Sequence, residues 1–117
     1  MSGAVCLTAI IPCRSNSVDV VEAALLAVGD AVAAHEPGTL ACRVVRIDGD
    51  APVLVTHERF RDRDAMRAHN EGAASRAFFA ATEGLLGDVT VLIGDEIQDY
   101  AEAMHEGASR YTEGGVL

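Results

Sequence analysis

The apolar and polar positions divide the chain up to residue 97 into six elements. Residues 4–13 form an apolar, β-branched run that ends near a proline, which is typical of a strand buried on both faces. Ser17 is placed to cap a helix over residues 18–35, and Pro37-Gly38 ends that helix. Its apolar residues recur every three or four positions and form one stripe: Val18, Val21, Leu25, Val28 and Val32.

Two further strands follow the first helix. Residues 39–47 and 52–60 read as strands, and the Asp48-Gly49 pair between them is a strong hairpin signal. The sequence therefore predicts two adjacent antiparallel strands.

The second half of the chain contains helical pieces and a last strand. Asp62 can cap a helix over residues 63–70, and Gly72 marks a break before a second helical piece at 73–86. Residues 89–97 predict a final strand. Beyond them, the acidic, glycine-containing residues 98–117 have only a weak helical stripe, so we expect an appended arm outside the domain formed by residues 1–97.

The element order is β-α-β-β-α-β, which is the order of a ferredoxin-like α+β domain. Such a domain has a four-stranded antiparallel sheet with both helices on one face. Several strands are apolar on both faces, however, and helices can cover only one of them. Leaving the other face in water costs about 25 cal/mol per Å² of apolar surface. Face-to-face homodimerisation is the simplest remedy.

Charge and cysteine content exclude several classes of partner and site. The chain has 9 basic and 18 acidic residues, a formal charge of −9, which disfavours nucleic acid and anionic membranes. No apolar run is long enough to cross a bilayer. Three cysteines with no close pair signal neither a disulfide framework nor a zinc site, and no other spacing indicates a metal. A reducing cytoplasm is the simplest context.

Several short motifs together resemble the antibiotic biosynthesis monooxygenase family across residues 6–97. They are Glu36-Pro37-Gly38-Thr39-Leu40, Glu58-Arg59-Phe60, Asp62, Asp64-Ala65, His69 and Phe78-Phe79. The resemblance implies a ferredoxin-like fold that dimerises sheet to sheet into an α/β barrel. It also implies oxidation of a small aromatic quinol or polyphenol without metal, flavin or haem, although other members degrade haem or process small signalling metabolites.

Cofactor-independent oxygenation needs a general base, a dry aromatic-lined pocket and a donor for the developing anion. Strand parity puts Glu58 on the same face as Phe60, with His57 on the opposite face. His69 shares a helix side with Met66, so His69 could act as base while Glu58 orients it. The predicted catalytic residues are His69 and Glu58, and the predicted substrate contacts are Phe60, Met66, Asn70, Phe78 and Phe79.

Structural roles explain the same residues as well. His69 could be a structural histidine bonded to a carbonyl or carboxylate, and Glu58 could pair with an arginine. The phenylalanines could simply be core. The chain has no tryptophan, and its first strand has no asparagine, which disfavours haem degradation. Two functions therefore remain: a cofactor-independent monooxygenase, or a non-catalytic dimeric module that binds a small apolar metabolite.

Overall fold

The computed structural model describes residues 3–101, 103 and 104. Its elements follow the predicted order, which confirms the ferredoxin-like α+β fold, with two short helices in the place of the second helix. The elements are β1 (Val5–Pro12), α1 (Val18–His35), β2 (Thr39–Ile47), β3 (Val53–Phe60), α2 (Arg63–Glu71), α3 (Ala73–Ala81) and β4 (Thr90–Asp95).

The four strands form one antiparallel sheet in the order β2-β3-β1-β4. The predicted hairpin connects β2 to β3, and its loop contains Gly49 at a φ of 148°, where a side chain would be strained. In the register, Glu58 of β3 lies between Cys42 of β2 and Leu7 of β1, and Leu7 in turn pairs with Ile93 of β4. Glu58 therefore occupies an inner strand of the sheet.

Helix α1 packs its apolar stripe on the sheet, as the spacing predicted. Val21, Leu25 and Val32 are buried, and the core continues into β1 and β3. Ser17 does precede the helix, but its hydroxyl does not cap it. The hydroxyl donates instead to the carbonyl oxygens of Arg14 (2.7 Å) and Leu85 (3.0 Å). Ser17 therefore ties the start of α1 to the segment before β4.

The second helical region breaks at Gly72, as expected. Asp62 caps α2, because its Oδ1 accepts a hydrogen bond from the Ala65 amide at 2.8 Å. The piece expected to run to residue 86 ends at Ala81, which corrects that boundary. Thr82 Oγ1 donates to the Phe78 carbonyl, and Gly84 then turns the chain with a φ of 79°.

The last strand is shorter than the predicted 89–97 and comprises Thr90–Asp95. Most of the predicted arm at 98–117 lies outside the described residues. Of its predicted helical stripe, Ala101 and Met104 are described and helical, whereas His105 and Ala108 lie outside the described residues. Within the part of the chain that the structure describes, no helix is both long enough and apolar enough to span a bilayer.

Candidate active site

A cavity of about 210 Å³ lies between the helix layer and the sheet. Its wall is mainly aliphatic and aromatic, and its polar groups come from β3, α2 and α3. The residues that line it are Leu7, Ala9, Ile11, Leu25, Val28, Cys42, Thr56, Glu58, His69, Asn70, Ser75, Phe78, Phe79, Val89 and Val91. A mainly apolar cavity with a few polar groups in its wall is the usual form of a small-molecule site.

Strand parity brings the carboxylate of Glu58 into this cavity. Glu58 and Thr56 are two residues apart on β3, so both side chains point toward the helices. The Thr56 hydroxyl donates a hydrogen bond of 2.8 Å to Glu58 Oε2. Glu58 is only 8% exposed, so its carboxylate depends on the protein rather than on water for hydrogen bonds.

The imidazole of His69 lies between two carboxylates. Its Nε2 is 2.9 Å from Glu58 Oε1, and its Nδ1 is 2.7 Å from Glu36 Oε1. Sequence reasoning brought Glu58 and His69 together, and the structure places them in direct contact. A carboxylate accepts and does not donate, so a ring bonded to two carboxylates carries a proton on each nitrogen.

The same contacts determine the charge of His69. Burial by itself lowers the pKa of the imidazole, but the hydrogen bonds to Glu58 and Glu36 raise it, and the net pKa lies above the ordinary value of 6.5. The folded protein therefore holds the imidazolium form of His69 to a higher pH than a free imidazole would. We call these three side chains the Glu36–His69–Glu58 triad, which joins one imidazole to two carboxylates.

Sequence reasoning missed the role of Glu36. Glu36 follows α1 directly, and the Thr39 hydroxyl donates to its Oε1 at 3.1 Å. Gly38 allows the turn to approach α2 closely, since a Cβ at this position would lie 2.7 Å from the Cβ of Ala65. This close packing brings Glu36 to His69. The only sequence signal was the Glu-Pro-Gly turn itself, which does not reveal what the turn packs against.

Phe60 and Met66, both predicted substrate contacts, lie in the core rather than in the cavity wall. Phe60 is fully buried, and its ring centroid is 5.3 Å from that of His69 at an interplanar angle of 42°. Met66 is buried in the same cluster. Because neither side chain reaches the cavity, both residues support the site from behind.

The other three predicted contacts line the cavity. Phe78 is buried, whereas Phe79 is 56% exposed, and their rings meet edge to face with centroids 5.2 Å apart. Asn70 lies next to His69 on α2 and is exposed. The aromatic pair can therefore contact a planar ligand, and Asn70 offers an amide group.

His57 and Arg59, the polar neighbours of Glu58 on β3, do not line this cavity. His57 lies on the opposite sheet face, where its Nδ1 is 3.3 Å from the Thr8 hydroxyl. No arginine is paired with Glu58 among the described ion pairs, and the neighbouring Arg59 binds Glu96 at 2.6 Å instead. In the described part of the chain, no group of three His, Cys, Asp or Glu side chains could hold a metal ion.

Comparison with known proteins agrees with the fold. Residues 5–81 match the model of the antibiotic biosynthesis monooxygenase family. A Caulobacter crescentus protein described as a candidate member has a TM-score of 0.76 at 21% identity, over 83% of this chain and 92% of that one. A Mycobacterium tuberculosis protein has a TM-score of 0.73 at 22% identity, over 84% of this chain and 99% of that one.

At such identities the solved structures establish the fold alone. A search of curated protein sequences finds no significant match. The family model, by contrast, spans β1 through α3, the part of the chain that contains the whole Glu36–His69–Glu58 triad. The chain therefore belongs to the antibiotic biosynthesis monooxygenase family.

Proposed function

We propose that this protein is a cofactor-independent monooxygenase that oxidises a small aromatic quinol or polyphenol with O₂. The observation that carries the proposal is the Glu58–His69 pair at the polar end of an otherwise apolar cavity. Family membership supports the reaction class, and Phe78 and Phe79 in the wall suit a planar ring.

The chemistry uses the electrons of the substrate. Removing the proton of a phenolic hydroxyl leaves an anion that can pass one electron to O₂, and the two resulting radicals then combine at a ring carbon. Breaking the O–O bond leaves one oxygen atom on the ring and releases the other as water. A hydroquinone and O₂ thus give a hydroxyquinone and water. The protein must accept the first proton and stabilise the anion, and Glu58 and His69 supply a carboxylate and a cation for these tasks.

Oxygen uptake with a panel of hydroquinones and anthrones tests this proposal. We expect the native protein to consume O₂ with at least one of them. His69→Ala should lower the rate about 100-fold, the usual effect of losing a group that stabilises a developing anion. His35→Ala is the matched control, because His35 is an exposed histidine at the end of α1, outside the cavity wall.

Two results would remove the proposal. One is the absence of oxygen uptake by the native protein with the whole panel, and the other is uptake that is unchanged in His69→Ala. Folding of the variant is checked by circular dichroism, so that a lost rate is not mistaken for a lost structure.

A non-catalytic binding module is the second candidate function. One observation favours it: both nitrogens of His69 are already bonded to carboxylates, as in a structural histidine. In that case the cavity would hold a small apolar metabolite without turnover. Tight binding with no oxygen uptake, and an affinity unchanged in His69→Gln, would select this function over the first.

The proposal includes a homodimer in the cytoplasm. The uncovered sheet face presents apolar side chains that a second copy would bury, including Val45, Ile47 and Leu92. The three free cysteines are stable as thiols in a reducing compartment.

A further inference from the structure

Glu36 contacts the site without lining it. Its Oε1 is 2.7 Å from His69 Nδ1, yet its side chain is not part of the cavity wall. A substrate in the cavity would therefore meet Glu58 and His69 and would not meet Glu36. Any influence of Glu36 on the reaction has to pass through the imidazole.

The hydrogen bonds leave His69 and Glu58 with unequal ability to accept a proton from a substrate. Each nitrogen of His69 is used, one by Glu58 and one by Glu36, so the ring has no free lone pair to accept a proton. The Glu58 carboxylate has about four acceptor positions, and the described contacts from Thr56 and His69 use two of them. Of these two residues, Glu58 is therefore the one with free positions to accept a proton.

We propose that Glu36 is a positioning residue that keeps His69 as an imidazolium, and that Glu58 rather than His69 accepts the substrate proton. This inference rests on the proposed function. In the step, the substrate O–H bond breaks, an O–H bond forms on Glu58, and the electron pair stays on the substrate oxygen. The negative charge thereby moves from Glu58 to the substrate, where the adjacent imidazolium stabilises it.

The groups around His69 come from several elements. Glu58 faces it from β3, Glu36 faces it from the end of α1, and the Cys42 thiol of β2 lines the same cavity. On its own helix, Asp64 and Arg67 pair with each other in solvent. A neutral residue in place of Glu36 therefore removes one of the two carboxylates that contact the imidazole and leaves the other, Glu58, in place.

Glu36→Gln tests the inference in two measurements. The amide oxygen can still accept a hydrogen bond from Nδ1, but it carries no charge. In an NMR pH titration of the imidazole, we expect the proton-binding constant of His69 to fall about tenfold. Glu71→Gln is the matched control, since it removes an equal charge from an exposed position on α2, and it should leave this titration unchanged.

The second measurement is the pH profile of oxygen uptake. If protonated His69 stabilises the anion, Glu36→Gln should move the alkaline limb to lower pH and lower kcat about tenfold there, with KM within about twofold of the native value. If neutral His69 were the base, the acidic limb would move instead and the rate at low pH would rise. Glu36→Asp, which restores the charge, should recover most of the native profile.

Each outcome decides one part of the inference. An unchanged His69 titration in Glu36→Gln overturns the positioning role, whether or not the protein turns over. A moved acidic limb overturns the assignment of Glu58 as acceptor. If the native protein consumes no O₂, the proposed function and the acceptor role fail together, while the titration still decides what Glu36 does. Should Glu36→Gln not fold, Glu36→Asp keeps the charge on a side chain that is one methylene shorter and should give a smaller shift of the His69 titration in the same direction.

Discussion

The two faces of the sheet are built from the same strands but differ in what covers them. Along β1, the side chains that point toward the helices are buried, from Val5 to Ile11, whereas the alternate side chains, from Cys6 to Pro12, are only partly buried. On β3 the same alternation buries Glu58 and leaves the preceding residue, His57, exposed. A difference of one residue in position therefore separates a buried carboxylate from an exposed imidazole.

The covered face can hold chemistry because its polar groups have partners. Among the described residues, every buried side-chain nitrogen or oxygen has a hydrogen-bond partner, including those of Glu58 and His69. On the other side of the sheet, which we call the open face, Ile47 and Leu92 are more than half exposed. Thus one face organises charge around a cavity, and the other presents apolar area for association.

Removing the Phe60 side chain should have the largest effect on stability, because it leaves a void in the core between the helices and the covered face, the sheet face on which the helices pack. Phe60 is fully buried and packs beside the imidazole of His69. We expect Phe60→Ala to lower the free energy of unfolding by about 3–5 kcal/mol, measured by urea denaturation. Phe79→Ala deletes the same atoms from an exposed position and should cost about 1 kcal/mol or less. Equal losses in the two variants would contradict the burial of Phe60.

A charge on the open face tests the association that we propose for it. Val55 pairs with Ile10 of β1 and Val45 of β2, near the middle of this face. Val55→Arg should raise the dimer dissociation constant at least about 100-fold, because a second copy would have to bury an unpaired charge. Sedimentation equilibrium measures this constant. Val20→Arg, on the exposed side of α1, is the control and should leave it unchanged. A native protein that is monomeric at micromolar concentration would show that no second copy covers the open face.

The same comparison explains what the sequence could predict. Alternation put Glu58 and His57 on opposite faces, and helical spacing turned His69 inward, because these properties depend on local periodicity. The family resemblance, rather than alternation, indicated that the face of Glu58 is the one toward the helices. Glu36 was missed because its contact with His69 depends on how the end of α1 packs against α2, which no local pattern encodes. The end of α3 was placed too late, since the backbone contact of Thr82 and the turn at Gly84 outweighed the apolar pattern through Leu86.

The smallest effect expected is a dependence of stability on pH that originates on the covered face. The pKa of His69 is raised in the folded protein, so the folded state binds its proton more tightly than the unfolded state does. The resulting stabilisation is complete below the unfolded value of about 6.5 and is lost as the pH rises through the higher folded value. The urea midpoint should therefore fall as the pH rises above about 6.5. His69→Gln should abolish this decline and Glu71→Gln should keep it, since only His69 lies between two carboxylates in the described structure. A decline that persists in His69→Gln would place its origin outside the triad and would leave the covered face without a charged imidazole to stabilise an anion.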